Sequence, residues 1–185
     1  MPLKQWAHYD CFESLPEDKV NRTPMNCRYD DQIRVYGRET QEKLGAVKTL
    51  IVGASSLGCE YIKAMALMGL GCGPTGLVTI TDNDYVYNTK VSNLKNRFLF
   101  RQCDVGKSKS EVAKTKANSI NVESKVSALE VFVSSENEDA FNDEFWENLD
   151  FVVSGVNNSK SKLNVDRQCI WYQKPLLIAS TLGTK

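Results

Sequence analysis

"TLIVGASSLGCE", residues 49–60, runs an aliphatic strand into a glycine-opened turn and then into a helix. A turn of this kind holds a nucleotide by its backbone. The first glycine permits the tight bend, the second lets the main chain approach a pyrophosphate, and the third lets the helix pack close to the strand. The helix N-terminus then faces the phosphate. Gly53 and Gly58 hold the outer positions, while Ser55 stands at the middle one, where its Cβ would press on the bridging phosphates of a dinucleotide. An acid at the end of the following strand accepts hydrogen bonds from ribose hydroxyls. Asp82 occupies that place in "TDND", with Asn83 and Asp84 behind it. The plainer alternative is a structural turn followed by two loop aspartates. It is disfavoured because strand, helix, second strand and acid occur in the required order.

Beyond this unit the pattern repeats. "KTLIV" (48–52), "LVTITD" (77–82), "KVSALEVFV" (125–133), "DFVVSG" (150–155) and "PLLIA" (175–179) read as strands. "CEYIKAMALM" (59–68), "KSEVAKTKANSI" (109–120), "DAFNDEFWENL" (139–149) and "SKLNVDRQCIWYQ" (161–173) read as helices. In the third of these Phe141, Phe145 and Leu149 share one face. Strand–helix alternation at this spacing predicts an α/β fold, a Rossmann-like, doubly wound, mostly parallel sheet with helices on both faces. Residues 28–44 predict a further helix, broken near Gly37 and stopped at Gly45. Residues 1–27, with Pro2, Pro16 and Pro24, predict an extended flank, leaving 28–185 as the domain. The stop at Lys185, just after a strand, reads as a cut through something longer.

Composition narrows the chemistry. The 185 residues carry 23 basic and 23 acidic side chains, so a general nucleic-acid-binding surface is not expected. No run approaches the roughly 18 apolar residues of a membrane span, and neither membrane partner nor signal peptide is expected. Six scattered cysteines with no C-x-x-C pair predict reduced thiols in an intracellular protein rather than a zinc site or a disulfide framework. The single histidine, His8, lies in the flank, so catalysis built on a Ser–His or Cys–His pair is disfavoured. Any reaction must then work by positioning and by placed charge.

After Asp84 comes a polar, cationic crossover, "VSNLKNRFLFR" and "DVGKSKSEVAK". With "RYDDQIRVYG", "GASSLGCE", "GLGCG", "TDND", "DRQCIWYQKPLL" and "TLGTK", it makes the chain resemble the catalytic adenylation half of ubiquitin-activating enzymes, a ThiF-like domain. The likeness extends over nearly the whole chain, and the flank "PLKQWAHYDCFESLP" favours the ubiquitin branch. The resemblance implies adenylation of the C-terminal glycine of ubiquitin with ATP and Mg2+, followed by acyl transfer to a cysteine beyond the "TLGTK" stop. It implies ubiquitin and ubiquitin-conjugating enzymes as partners, and a cytoplasmic and nuclear location. It gives Asp82 a ribose role and Asp84 a metal-proximal one. Asn93, Arg97 and Lys109 fall to the phosphates, and Gly53, Ser55, Gly58, Asn83 and Asn157 to the rest of the nucleotide site.

The chain departs from the family pattern at several positions. Lys95-Asn96-Arg97 replaces an Asn-Arg-Gln run, displacing the arginine by one residue, and "YVYNTKV" lengthens the crossover. Ser55 replaces the middle glycine, which ATP tolerates better than a dinucleotide does. Asn157 stands where the family carries a magnesium-binding aspartate; its amide oxygen can ligate the ion but brings no charge, and the alternative is that it merely caps the next helix. Asp31 occupies the place of an arginine that the partner half offers. Two rival readings remain: an NAD-dependent oxidoreductase on the same fold, and a non-catalytic half that binds ATP or only supports a partner.

Overall fold

The computed structural model describes residues 20–87, 94, 97–137, 139–156 and 158–179. Five strands form one sheet: β1 (Lys48–Val52), β2 (Leu77–Thr81), β3 (Val126–Leu129), β4 (Phe151–Ser154) and β5 (Leu176–Ile178). Their spatial order is β3-β2-β1-β4-β5, every pair parallel. The order reverses beside β1, between crossovers that leave in opposite directions, and this opens a crevice at the carboxyl ends of the strands.

Registry assigns the two faces. Ile51 lies level with Ile80 and Val153. These three pack under α3 (Ser56–Met68) and α4 (Lys109–Ile120), with Ile62, Val112 and Ala113 filling the layer. Leu50, Val52 and Val152 face the other way, against Trp146 of α5 (Asp143–Glu147) and Val165 and Cys169 of α6 (Ser159–Trp171). The predicted α/β class and doubly wound architecture are therefore present, with the sheet wholly parallel among the described residues.

Three boundaries are corrected. The helix expected over 139–149 is confined to Asp143–Glu147, because the Asn142 side chain accepts from the Phe145 N–H at 2.9 Å and starts the helix there. Trp146, 1% exposed, is its core anchor; it stacks on Tyr172 at 5.8 Å and meets Phe145 edge-on. The strand expected to reach Val133 ends at Leu129, where the chain bends, although the Val131 carbonyl still accepts from the Thr81 hydroxyl. The N-terminal helix does break at Gly37, into α1 (Asp30–Tyr36) and α2 (Arg38–Ala46), but Gly45 lies inside the last turn instead of stopping it. Of the expected flank, residues 1–19 lie outside the described residues. Residues 20–27 carry no helix or strand and are tied down by Arg38, which donates to the carbonyls of Thr23 and Pro24.

Asn121, at the C-cap of α4, joins this N-terminal segment to the core. Its Nδ2 donates to the Tyr29 hydroxyl at 2.7 Å and the Ala66 carbonyl at 2.8 Å, and its Oδ1 accepts from the Glu123 N–H at 3.1 Å. The residue is 1% exposed, so removing the amide strands acceptors and a donor that water cannot easily reach. Asn121→Ala should lower stability by about 1–3 kcal/mol, read as a reduced denaturant midpoint at unchanged slope.

Candidate functional site

The crevice at the carboxyl ends of β1, β2 and β4 holds a cavity of about 330 Å³, at the small end of the range for ligand pockets. Gly53 turns the chain out of β1 at φ +90°, a conformation that side chains resist. Ser55 then caps α3, its Oγ accepting from the Gly58 N–H at 3.3 Å while donating to the Gly155 carbonyl. The hydroxyl thus fastens the turn after β1 to the turn after β4. That gives Ser55 a structural reason to replace a glycine. Gly58 lies behind this turn, not in the cavity wall, and a Cβ placed on it would fall 1.9 Å from the Gly53 carbonyl oxygen. The 13-residue helix α3 directs its N-terminus at the crevice, which favours an anion there.

The acids and cations come together around this turn. Asp82 Oδ2 accepts from the Ala54 N–H at 2.7 Å and Oδ1 from the Asp84 N–H at 2.8 Å, so its carboxylate both shapes the loop and lines the cavity. Burial pushes the Asp82 carboxyl above its ordinary range, against the opposing pull of the Asp84 N–H, the Lys109 charge and the Ala54 N–H. Asn83 and Asp84 form the adjoining wall.

Lys109 begins α4 and is 3% exposed, yet its Nζ donates to Asp84 Oδ2 at 2.5 Å, and both residues line the cavity. Lys109 is therefore not a solvated charge at a helix start. Lys107, just before that helix, is by contrast 61% exposed and lies 3.7 Å from Asp104. Arg97 also lines the cavity, so the one-residue displacement still delivers an arginine to the site.

Gly53, Ser55, Asp82, Asn83, Asp84, Arg97 and Lys109 thus border one crevice. Asn93 and Asn157 lie outside the described residues. The helix-capping role considered for Asn157 is filled by its neighbour, whose side chain, Asn158 Oδ1, accepts from the Lys160 N–H at 2.9 Å. Sequence reading missed an apolar end of the cavity formed by Phe132, Val133, Val156 and Val165, and the polar Asn158 and Ser161 beside it. The rule that ligands bind beyond the carboxyl ends of strands flanking the switch point could have found most of them, since Phe132 and Val133 follow β3, Val156 and Asn158 follow β4, and Ser161 lies in the first turn of α6.

Among the described residues no group of three or more His, Cys, Asp or Glu side chains could hold a metal by itself. Asp84, 59% exposed, is one carboxylate at the cavity wall. One carboxylate suits magnesium when phosphate oxygens and water complete the shell, as this ion usually demands. The donor set fits an ion that arrives with a nucleotide.

Among the described residues no cysteine lines this cavity, and Cys59 and Cys169 are buried. Burial pushes the Cys59 thiol up to about 12, against the pull of the Arg97 charge, and the Cys169 thiol to about 11. At pH 8 their thiolate fractions are on the order of 10⁻³ or less. Iodoacetamide at that pH should therefore label exposed Cys27 and Cys103 and spare Cys59 and Cys169 in the folded chain, as peptide mass mapping would show.

Residues 29–185 match the model of the ThiF family. The chain belongs to the ThiF family. This ThiF-family chain is 44% identical over 192 residues to ubiquitin-activating enzyme E1 1 of Candida albicans (strain WO-1). It is 42% identical over 190 residues to human ubiquitin-like modifier-activating enzyme 1. In both matches all of this chain is covered, but only 18% of the relative. Among solved structures it is similar to Escherichia coli tRNA N6-threonylcarbamoyladenosine dehydratase, TcdA, with TM-score 0.69 and 22% identity, covering 82% of this chain and 59% of that one. A structure of that enzyme in complex with ATP gives TM-score 0.69, covering 82% of this chain and 58% of that one. These likenesses place the Rossmann-like sheet of this ThiF-family chain within a known fold.

Proposed function

We propose that this chain is an ATP-binding adenylation unit that activates the C-terminal glycine of ubiquitin. The observation that carries the reading is the gathering of two carboxylates, Asp82 and Asp84, and two cations, Arg97 and Lys109, around the glycine turn in one crevice. The identity of 42–44% to ubiquitin-activating enzymes over all of this chain supports it.

In this reading Asp82 accepts from the ribose with lone pairs left over by its two backbone hydrogen bonds. The base occupies the apolar end beside Phe132 and Val165, and the phosphates lie between the α3 N-terminus and the Lys109 and Arg97 cations. The ubiquitin carboxylate attacks the α-phosphorus, the bond to the β-phosphate bridging oxygen breaks, and pyrophosphate leaves with the electron pair. No proton has to be removed from a carboxylate at neutral pH. The requirement is charge neutralisation on attacker and leaving group, which the cations lining this cavity supply. Asp84 would hold a magnesium ion brought in with the nucleotide, and that ion would supply further positive charge to the site. Transfer to a cysteine and the hand-over to conjugating enzymes are assigned to a longer protein acting in cytoplasm and nucleus.

The test is thermal unfolding of the 185-residue chain with MgATP and, separately, NAD. At 100 times its dissociation constant ATP should add about 2.7 kcal/mol, a shift of several degrees. A shift with NAD and none with ATP would establish the oxidoreductase alternative instead. Asn157 favours the second reading, a half that binds ATP but supports a partner, since it brings no charge to a metal. Asn157→Asp should then raise ubiquitin-dependent ATP–pyrophosphate exchange, measured after grafting this chain into a full-length ubiquitin-activating enzyme. An unchanged rate would remove that reading's support.

A further inference from the structure

Lys109 is the anomaly of the cavity. It is 3% exposed, so its ammonium ion is largely shut off from water, and it starts α4, at the end where the helix dipole repels a cation. Its carboxylate partner is Asp84, at 2.5 Å, which is itself 59% exposed. The backbone holds the two side chains together. The Lys109 N–H donates to the Asp84 carbonyl at 3.0 Å, the Gly106 N–H donates to the Val86 carbonyl at 2.8 Å, and Tyr85 bridges antiparallel to Ser108. The ion pair therefore opens only by side-chain rotation, and Asp84, on the exposed side, is the group with room to turn.

A polyphosphate entering this crevice competes with Asp84 for the same ammonium ion. If it wins, Asp84 is left as an unpaired anion beside phosphate oxygens, and like charges at that range oppose binding. A divalent cation removes the conflict by bridging the released carboxylate and the phosphates. Building on the ATP-binding reading above, we propose that the Lys109–Asp84 pair is an exchange latch that makes nucleotide and magnesium binding mutually dependent. Phosphate takes Lys109, magnesium takes Asp84, and neither half of the exchange is favourable alone. No covalent bond changes. By linkage, whatever factor magnesium adds to ATP affinity, ATP adds to magnesium affinity.

The inference is tested by calorimetric titration of ATP into the 185-residue chain, in EDTA and in millimolar MgCl₂. For the unaltered chain, magnesium should tighten ATP by about 10-fold or more, within the range of ordinary coupling. In Asp84→Asn the internal competitor and the repelling charge are both gone. Metal-free ATP should bind this variant more tightly than it binds the unaltered chain, and magnesium should add less than about 3-fold. Lys109→Met supplies the control in the other direction, because it leaves Asp84 charged. There the magnesium ratio should stay at or above the unaltered value, although overall affinity falls. Metal-free ATP binding Asp84→Asn no tighter than the unaltered chain, or an undiminished magnesium ratio in that variant, would overturn the latch while leaving the nucleotide site standing. An equal collapse of the ratio in both variants would overturn it too, since general damage to the crevice would then explain the result. Failure of the unaltered chain to bind ATP in either buffer would remove the nucleotide reading, and the latch with it.

Discussion

Lys109→Met should weaken MgATP binding by about 10- to 100-fold and leave the unfolding temperature within about 2 °C of the unaltered value. The two halves of this expectation come from the two ends of one ion pair. Removing one member of a buried pair usually costs about 3–5 kcal/mol, because the other charge is left dry and unpaired. Here the remaining charge is not dry. Asp84 is 59% exposed and rehydrates when Lys109 is lost, while methionine fills the buried stem with a chain of similar length. The lost attraction is also offset by relief at the helix start, where an ammonium ion opposes the dipole. Binding has no such compensation. A charge-assisted hydrogen bond to phosphate contributes about 1.5–3 kcal/mol, and methionine donates nothing. Calorimetric titration and thermal unfolding on the same sample separate the outcomes. A large loss of stability with unchanged affinity would make Lys109 a structural residue and remove it from the proposed site.

The strands and the position of this lysine were legible for the same reason. Parallel strands buried on both faces write themselves as short aliphatic runs, and the boundaries of β1 and α4 match the sequence reading residue for residue, Lys48–Val52 and Lys109–Ile120. The glycine turn, "TDND" and the crossover cations are likewise local patterns, and the fold brings them to one crevice. What failed was decided by contacts distant in sequence. The run through "EVFV" is as strand-like as any in the chain, yet pairing stops at Leu129, opposite the last residue of β2, Thr81. The hydrophobic face predicted for 139–149 named Phe141, Phe145 and Leu149, which do join one core cluster, but the helix spans only Asp143–Glu147 and the most deeply buried residue of that stretch is Trp146, which the predicted face left out. The apolar end of the cavity was missed for a related reason: Phe132, Val156 and Val165 carry no motif and meet only through the sheet. Ser55 shows the converse. Its departure from glycine was visible in sequence, but its bond to Gly155 spans 100 residues and needed the fold to explain it.

The same turn yields the last expectation. Gly58→Ala should destabilise the chain by about 3 kcal/mol or more, lower its unfolding temperature by at least about 6 °C, and abolish ATP binding at concentrations that saturate the unaltered protein. Helix propensity argues the other way, since alanine gains about 1 kcal/mol over glycine inside a helix such as α3. Geometry decides. The added carbon would stand 1.9 Å from the Gly53 carbonyl oxygen and 3.0 Å from the Gly53 carbonyl carbon, and neither belongs to a flexible side chain. Contact at an ordinary separation requires α3 and the turn after β1 to part by more than an ångström or so. That movement breaks the Ser55 cap on the Gly58 N–H and pulls on the Ser55 tie to Gly155. It also carries the Ala54 N–H away from Asp82, so the carboxylate proposed for the ribose loses a contact that orients it. Stability and binding should therefore fall together, unlike the separation expected for Lys109→Met. Unfolding midpoints and ATP titrations on both variants test this contrast directly. A stable Gly58→Ala chain that still binds ATP would mean that the close approach of helix and turn is not what shapes the site.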